Sequence, residues 1–185
     1  MTLSDALRWL AAFAAAALGM LLFRATVATL CVVGGTALEP QLLPGDRVVV
    51  NRWSYGLRTG SRDGLFGYGR LGRQPIAKGD IVAMDSPLKG VTGIFLCRCT
   101  ALPGDTVRAG GDLLVVPGRK ATCADEDYYW VEAVAGGAHM GSRQFGFVPE
   151  SSIIGRACLV LFSHDDSKPP LTGYRSGRTL AAIGR

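Results

Sequence analysis

The chain opens on an unbroken apolar run, Trp9 to Phe23, Ala-rich and bounded by Arg8 and Arg24. Fifteen residues fall short of the roughly 20 that span a bilayer core comfortably. With Ala6 and Leu7 included, and with the flanking arginines reaching toward the interface, the run approaches the lower limit. A cleaved signal peptide is the rival reading. It needs small residues at a cleavage site, and Thr26-Val27-Ala28 supplies them only loosely. A retained anchor over residues 1–24 is the favoured expectation. The charges flanking it are too balanced to set its orientation.

After Arg24 the pattern changes from continuous to short apolar stretches. Ala25 to Val33 and Arg47 to Trp53 read as strands, separated by Gly34-Gly35 and the Pro44-Gly45-Asp46 turn. Further strands are expected at Asp80 to Met84, Ile94 to Thr100, Thr106 to Arg108, Leu113 to Val116, Tyr128 to Val131, Phe145 to Val148 and Ile153 to Phe162. Ser86-Pro87, Pro103-Gly104-Asp105 and Pro117-Gly118 punctuate them. Residues 55–79 form a long Gly- and Arg-rich connection, long enough to be functional or mobile. No repeat and no amphipathic helix is found in the body. The expected architecture is mainly β over 25–162, behind an N-terminal transmembrane helix, with a loosely ordered tail over 163–185.

Composition sharpens this picture. The chain has 185 residues, 48% hydrophobic and 19% charged, with 25 glycines and 9 prolines. That suits one turn-rich β domain plus an anchor. Six arginines (47, 52, 58, 62, 70 and 73) face one acid, Asp63, between Arg47 and Arg73. They read as a solvated basic loop or, beside an anchor, as an attraction for anionic headgroups. No nucleic-acid module accompanies the charge, and no aromatic stacking series is present, so nucleic acid is excluded as a partner.

Five cysteines (31, 97, 99, 123 and 158) leave at least one unpaired outside the cytoplasm. None lies in a CxxC pair, so no metal is expected. Cys97 and Cys99, two apart on a strand, share a face.

Four segments carry a resemblance. They are Gly35-Thr36-Ala37-Leu38-Glu39-Pro40-Gln41-Leu42 with Pro44-Gly45-Asp46; Gly79-Asp80-Ile81-Val82; Cys97-Arg98-Cys99-Thr100-Ala101-Leu102-Pro103-Gly104-Asp105; and Gly141-Ser142-Arg143-Gln144-Phe145-Gly146-Phe147-Val148-Pro149, running into Ile154-Gly155-Arg156-Ala157. In this order, behind an N-terminal anchor, they resemble the signal peptidase I family. Its motifs read Gly-Ser-Met-x-Pro-Thr-Leu with Gly-Asp, then Gly-Asp-Ile-Val, Lys-Arg-x-x-Gly-Leu-Pro-Gly-Asp and Asp-Ser-Arg-x-x-Gly-x-Val-Pro. The resemblance covers roughly residues 8–162. It implies a β domain on the extracytoplasmic side of the inner membrane, held by a single span.

The departures bear on chemistry. In the family a serine attacks the scissile carbonyl and a lysine of lowered pKa is its general base. The serine falls on Ala37 and the lysine on Cys97. The serine that orients the lysine falls on His139, and the aspartate of the fourth segment falls on Gly141. The expectation is an inactive homologue that binds an extended secreted preprotein segment or a competent peptidase, without cofactor. The alternative is an active peptidase with a non-standard Cys97/His139 pair. Leu38, Pro40 and Leu42 keep the apolar and turn residues of the family's peptide-binding rim, where strand pairing would hold a substrate. Ordinary core packing explains them equally well. Oligomeric state is not legible.

Overall fold

The structure, a computed structural model, describes residues 3–36, 38–60, 67–86, 93–133, 141–165, 167–169 and 172–184. A helix, α1 (Leu3–Thr26), precedes strands β1 (Ala28–Val32), β2 (Asp46–Asn51), β3 (Leu57–Thr59), β4 (Gly69–Leu71), β5 (Ile81–Asp85) and β6 (Ile94–Ala101). Then come β7 (Thr106–Ala109), β8 (Asp112–Val115), β9 (Tyr128–Glu132), a short α2 (Ser142–Phe145), β10 (Val148–Pro149), β11 (Ile153–Ser163) and β12 (Ala181–Ala182). The main sheet runs β1-β2-β11-β5-β6-β9-β10 with β12 paired to β11, and its pairings are antiparallel. Hairpins β3–β4 and β7–β8 stand outside it. The expected mainly β class is what the chain adopts.

The sheet buries apolar side chains on both faces, which is why β5 reads as a continuous apolar run rather than an alternating one. One face carries Val82, Met84, Cys97, Cys99, Val131 and Ile153, under Tyr55 and Ile76 of the 55–79 connection. On the other, Val48, Ile81, Ala157 and Val160 pack with Leu38 and Leu42. The pleat separates the two sets, since neighbouring strand residues point oppositely.

Several expectations are corrected in detail. Phe145 to Val148 is not a strand. Ser142–Phe145 forms a helical turn, ended by Gly146 at φ 81°, and strand pairing begins at Val148 opposite Tyr129. Gly146 takes the left-handed region without a side-chain penalty, so the turn can end there. β1 starts at Ala28 because α1 runs to Thr26. The arginines of the 55–79 connection are not a solvated loop. The Arg70 side chain is fully buried, bonded to the Gly56, Glu150 and Ile153 carbonyls, and paired with Glu150. Arg73 also pairs with Glu150, and Arg58 with Asp85. Residues 61–66, including Arg62, lie outside the described residues. Nor is the C-terminal segment loose where it is described. β12 pairs with β11 through Leu159↔Ala182 and Val160↔Ala181, and Ile183 is buried.

The expected N-terminal helix is present. Its described side chains, residues 7–21, are all exposed, with Leu7, Trp9, Leu10, Phe13, Leu18, Met20 and Leu21 among them. Among the described residues no helix is long and apolar enough to cross a membrane.

Gly155 of β11 is a point where only hydrogen fits. A Cβ there would stand 2.3 Å from the Asn51 carbonyl oxygen, a backbone atom that cannot rotate away. Gly155→Ala is therefore expected to destabilise the domain by about 1–3 kcal/mol, read as a lowered midpoint in denaturant with unchanged slope.

Candidate functional site

β6 is where the four quoted segments meet. Its central residue pair, Cys97 and Arg98, points to opposite faces. Cys97 lies opposite Val82 of β5 and is 2% exposed. It shares a cluster with Tyr55, Val82, Cys99, Val131 and the Phe145 ring of α2, so the third and fourth segments touch through it. Ser142, at the start of α2, accepts a 2.9 Å hydrogen bond from the Val131 amide. The second segment joins by backbone. The Gly79 amide donates to the Cys99 carbonyl at 2.8 Å, and the Cys99 amide to the Asp80 carbonyl at 2.9 Å.

The first segment reaches β6 from the other face. The Arg98 guanidinium donates to the Gln41 side-chain oxygen. Leu38 and Leu42 pack with Ile81, and Leu96 lies against the same cluster. The loop is closed by local bonds: the Glu39 amide to the Thr36 carbonyl and the Leu42 amide to the Leu38 carbonyl. Ala37 and His139 lie outside the described residues. Of the three rim positions, Leu38 and Leu42 are 2% and 0% exposed, so their side chains offer no surface in this conformation; Pro40 is exposed.

The electrostatics at Cys97 follow from its burial. Desolvation pushes the thiol up to about 12, because burial strips the charged thiolate of its water. Cys99 is also pushed to about 12, by burial first and then by the charges of Asp80 and Asp105. No disulfide is formed by any of the five cysteines. Among the described residues no group of three or more His, Cys, Asp or Glu is placed to hold a metal ion.

Gly141 is extended, with φ −160°. A Cβ on it would lie 3.1 Å from the Val131 oxygen and 3.3 Å from Glu132 Cα. Arg143 pairs with Glu132 at 3.1 Å, and the same Glu132 oxygen accepts from the Trp130 indole at 3.0 Å.

Sequence reasoning missed the polar side chains that assemble these segments. Asp46 is wholly buried; it accepts from the Leu43 amide at 2.9 Å and from Arg178 at 2.7 Å. Burial alone would raise its carboxyl. The hydrogen bonds from Arg178, Ser163 and the Leu43 amide, with the Arg178 charge, outweigh it and hold the pKa below the usual 3.8. Asp46 was visible as part of a Pro-Gly-Asp turn, but nothing in the local pattern pointed to a partner 132 positions away. Asp80 similarly accepts from Tyr55 at 3.0 Å and pairs with Arg156 at 3.3 Å.

β6 is thus a buried strand approached from three directions by ordered segments, within an antiparallel β domain behind an N-terminal helix. The family model described as "Signal peptidase, peptidase S26" matches residues 6–133, and the chain belongs to that family. The match takes in the first three segments; the fourth lies beyond it. No curated protein matches the chain.

Two outcomes follow from the buried groups. Iodoacetamide at pH 8 should label the exposed Cys123 in the native protein and leave Cys97 and Cys99 unmodified until denaturant is added, as mass mapping would read. For Asp46 the folded pKa lies below the unfolded one. Its contribution to stability is therefore complete above about pH 4 and is lost as pH falls through the lower folded value. Asp46→Asn should flatten the acid limb of a stability-against-pH curve and lower stability at neutral pH.

Proposed function

We propose that this chain is a membrane-anchored signal peptidase homologue without peptidase activity, acting by binding an extended segment of a secreted preprotein or a competent peptidase. The observation that carries the reading is the side chain at the general-base position. Cys97 is a thiol whose proton is held to about pH 12, so at neutral pH it neither accepts a proton nor attacks as thiolate. The same burial weighs against a Cys97/His139 nucleophile. Ala37 at the nucleophile position brings no hydroxyl.

The anchor is argued from α1. The apolar side chains around its described turns have no protein cover. One residue, Val27, separates α1 from β1, and its carbonyl accepts from the Arg52 amide at 3.0 Å. In an inner-membrane anchor of this kind the β1 edge of the sheet would lie at the extracytoplasmic bilayer surface.

The decisive experiment is preprotein processing by the purified full-length protein in detergent. The expected result is an uncut preprotein, both for the natural protein and for Cys97→Ala. Cleavage by both would overturn this reading and the thiol alternative together.

Restoring the dyad with Ala37→Ser and Cys97→Lys should yield little activity. The lysine would need its pKa lowered by about 3 units from about 10.4. Its orienting position is His139, and an aspartate at 141 would have to displace β9 backbone. Adding His139→Ser tests the first of these separately; a double variant cleaving at the rate of an intact peptidase would show a site still poised for catalysis.

A further inference from the structure

The C-terminal residues make their contacts on the loop that follows position 37 and on the end of β11. Arg178 donates to the Gln41 carbonyl and to the buried Asp46 carboxylate, both at 2.7 Å. Arg175 donates to the Pro44 carbonyl at 2.9 Å and to the Ser163 hydroxyl at 3.0 Å. The Gln41 side-chain amide donates to the Gly184 carbonyl at 2.8 Å. Ile183 and Ala181 pack with Leu38, Leu42, Val48 and Val160. Four loop residues, 41, 42, 44 and 46, are thus held by a segment more than 130 positions away.

This segment is also joined to the sheet at the end of β11, where the Arg175 amide donates to the Ser163 carbonyl at 3.0 Å and the Arg175 guanidinium pairs with Asp165 at 3.9 Å. β12 is two residues long and lies along the β11 edge that β5 leaves open beyond Arg156. The Leu180 amide donates to the Leu161 carbonyl at 3.2 Å, and the Ile183 amide to the Cys158 carbonyl at 2.9 Å. Between the Arg178 contact and β12 sits Leu180, at φ 56° and 63% exposed. A leucine in the left-handed region is strained, and its exposed side chain gains nothing from packing in return. The attachment is therefore charged at one end, apolar at the other, and strained between them.

We infer that residues 175–184 are a displaceable strap. Their seat is a strand-addition site made of the β11 edge at Leu159 and Val160, the Leu38–Leu42 apolar surface, and the Gln41 and Asp46 acceptors. The site takes an extended segment with an arginine three residues ahead of small and apolar residues, as in Arg178-Thr179-Leu180-Ala181-Ala182-Ile183. Its occupant is the chain's own C-terminal segment. With the strap seated, Gln41 is held between Arg98 of β6 and Gly184, which positions the loop over residues 38–46. With the strap released, Leu38 and Leu42 are uncovered on that side. The inference does not depend on whether the protein cleaves peptides.

Amide hydrogen exchange on the full-length protein in detergent, read by mass spectrometry, tests it. Arg178→Ala should speed exchange over residues 38–46 and 158–161 by about tenfold or more, with β5 and β6 unchanged. Leu180→Asn, which suits the left-handed region, should slow exchange there by about fivefold. A synthetic peptide of residues 174–184, added in excess to the Arg178→Ala protein, should restore the lost protection. Uniform acceleration throughout the sheet would make Arg178 a general stability residue and overturn the strap. So would an unchanged loop in either variant, or a peptide that restores nothing.

Discussion

The pleat of β6 governs the rest of the arrangement. Because adjacent strand residues face opposite ways, Cys97 is committed to the cluster beneath the 55–79 connection, and Arg98 to the loop that follows position 37. Three of the quoted segments come to this strand from different sides. Each meets it through a different bond: the Gly79–Asp80 turn through backbone, the fourth segment through apolar packing, and the first through a guanidinium. A shift of one residue in the β5–β6 register would put Arg98 into the Tyr55–Met84 cluster and leave Gln41 without its donor. The fully buried neighbours Val82 and Val131 pin that register.

Much of this was legible in the chain. The apolar run of α1, the turn chemistry at Pro44-Gly45-Asp46 and Pro103-Gly104-Asp105, and the short Val- and Ile-rich stretches of β2, β5, β6 and β11 are local signals, and the elements form close to where those signals lie. The order of the quoted segments was enough for the family, which the match over residues 6–133 shows. What local pattern misjudged were places where a distant partner decides. Phe145 has strand propensity, but Gly141 and Gly146 bracket a helical turn that seats its ring against the cluster containing Cys97. Arg70 is the kind of residue expected in water, yet three carbonyls and a carboxylate far along the chain take it out of solvent. Residues 175–184 carry the glycine and polar texture of a tail, and only the distant loop after position 37 and the β11 edge give them a place.

The candidate site divides along the same line. The alignment of Ala37 and Cys97 with the family's dyad rests on the spacing of the motifs around them, and of the two only Cys97 lies among the described residues. The condition of the thiol could not be read from spacing, since burial depends on what the 55–79 connection and α2 lay over it. The polar frame was invisible for a related reason. Arg98–Gln41, Asp46–Arg178 and Arg143–Glu132 are pairs whose members are 57, 132 and 11 positions apart. No single window of sequence contains both halves of the first two.

Gly141 makes substitution at the head of α2 uneven in cost. An ideal Cβ there would stand 3.1 Å from the Val131 carbonyl oxygen and 3.3 Å from Glu132 Cα, so any side chain asks the β9 backbone to give way slightly. Arg143 beside it is already engaged by Glu132. A carboxylate introduced at 141 would meet a tight space and a competitor for the arginine, so its charge would gain least where the backbone must yield most.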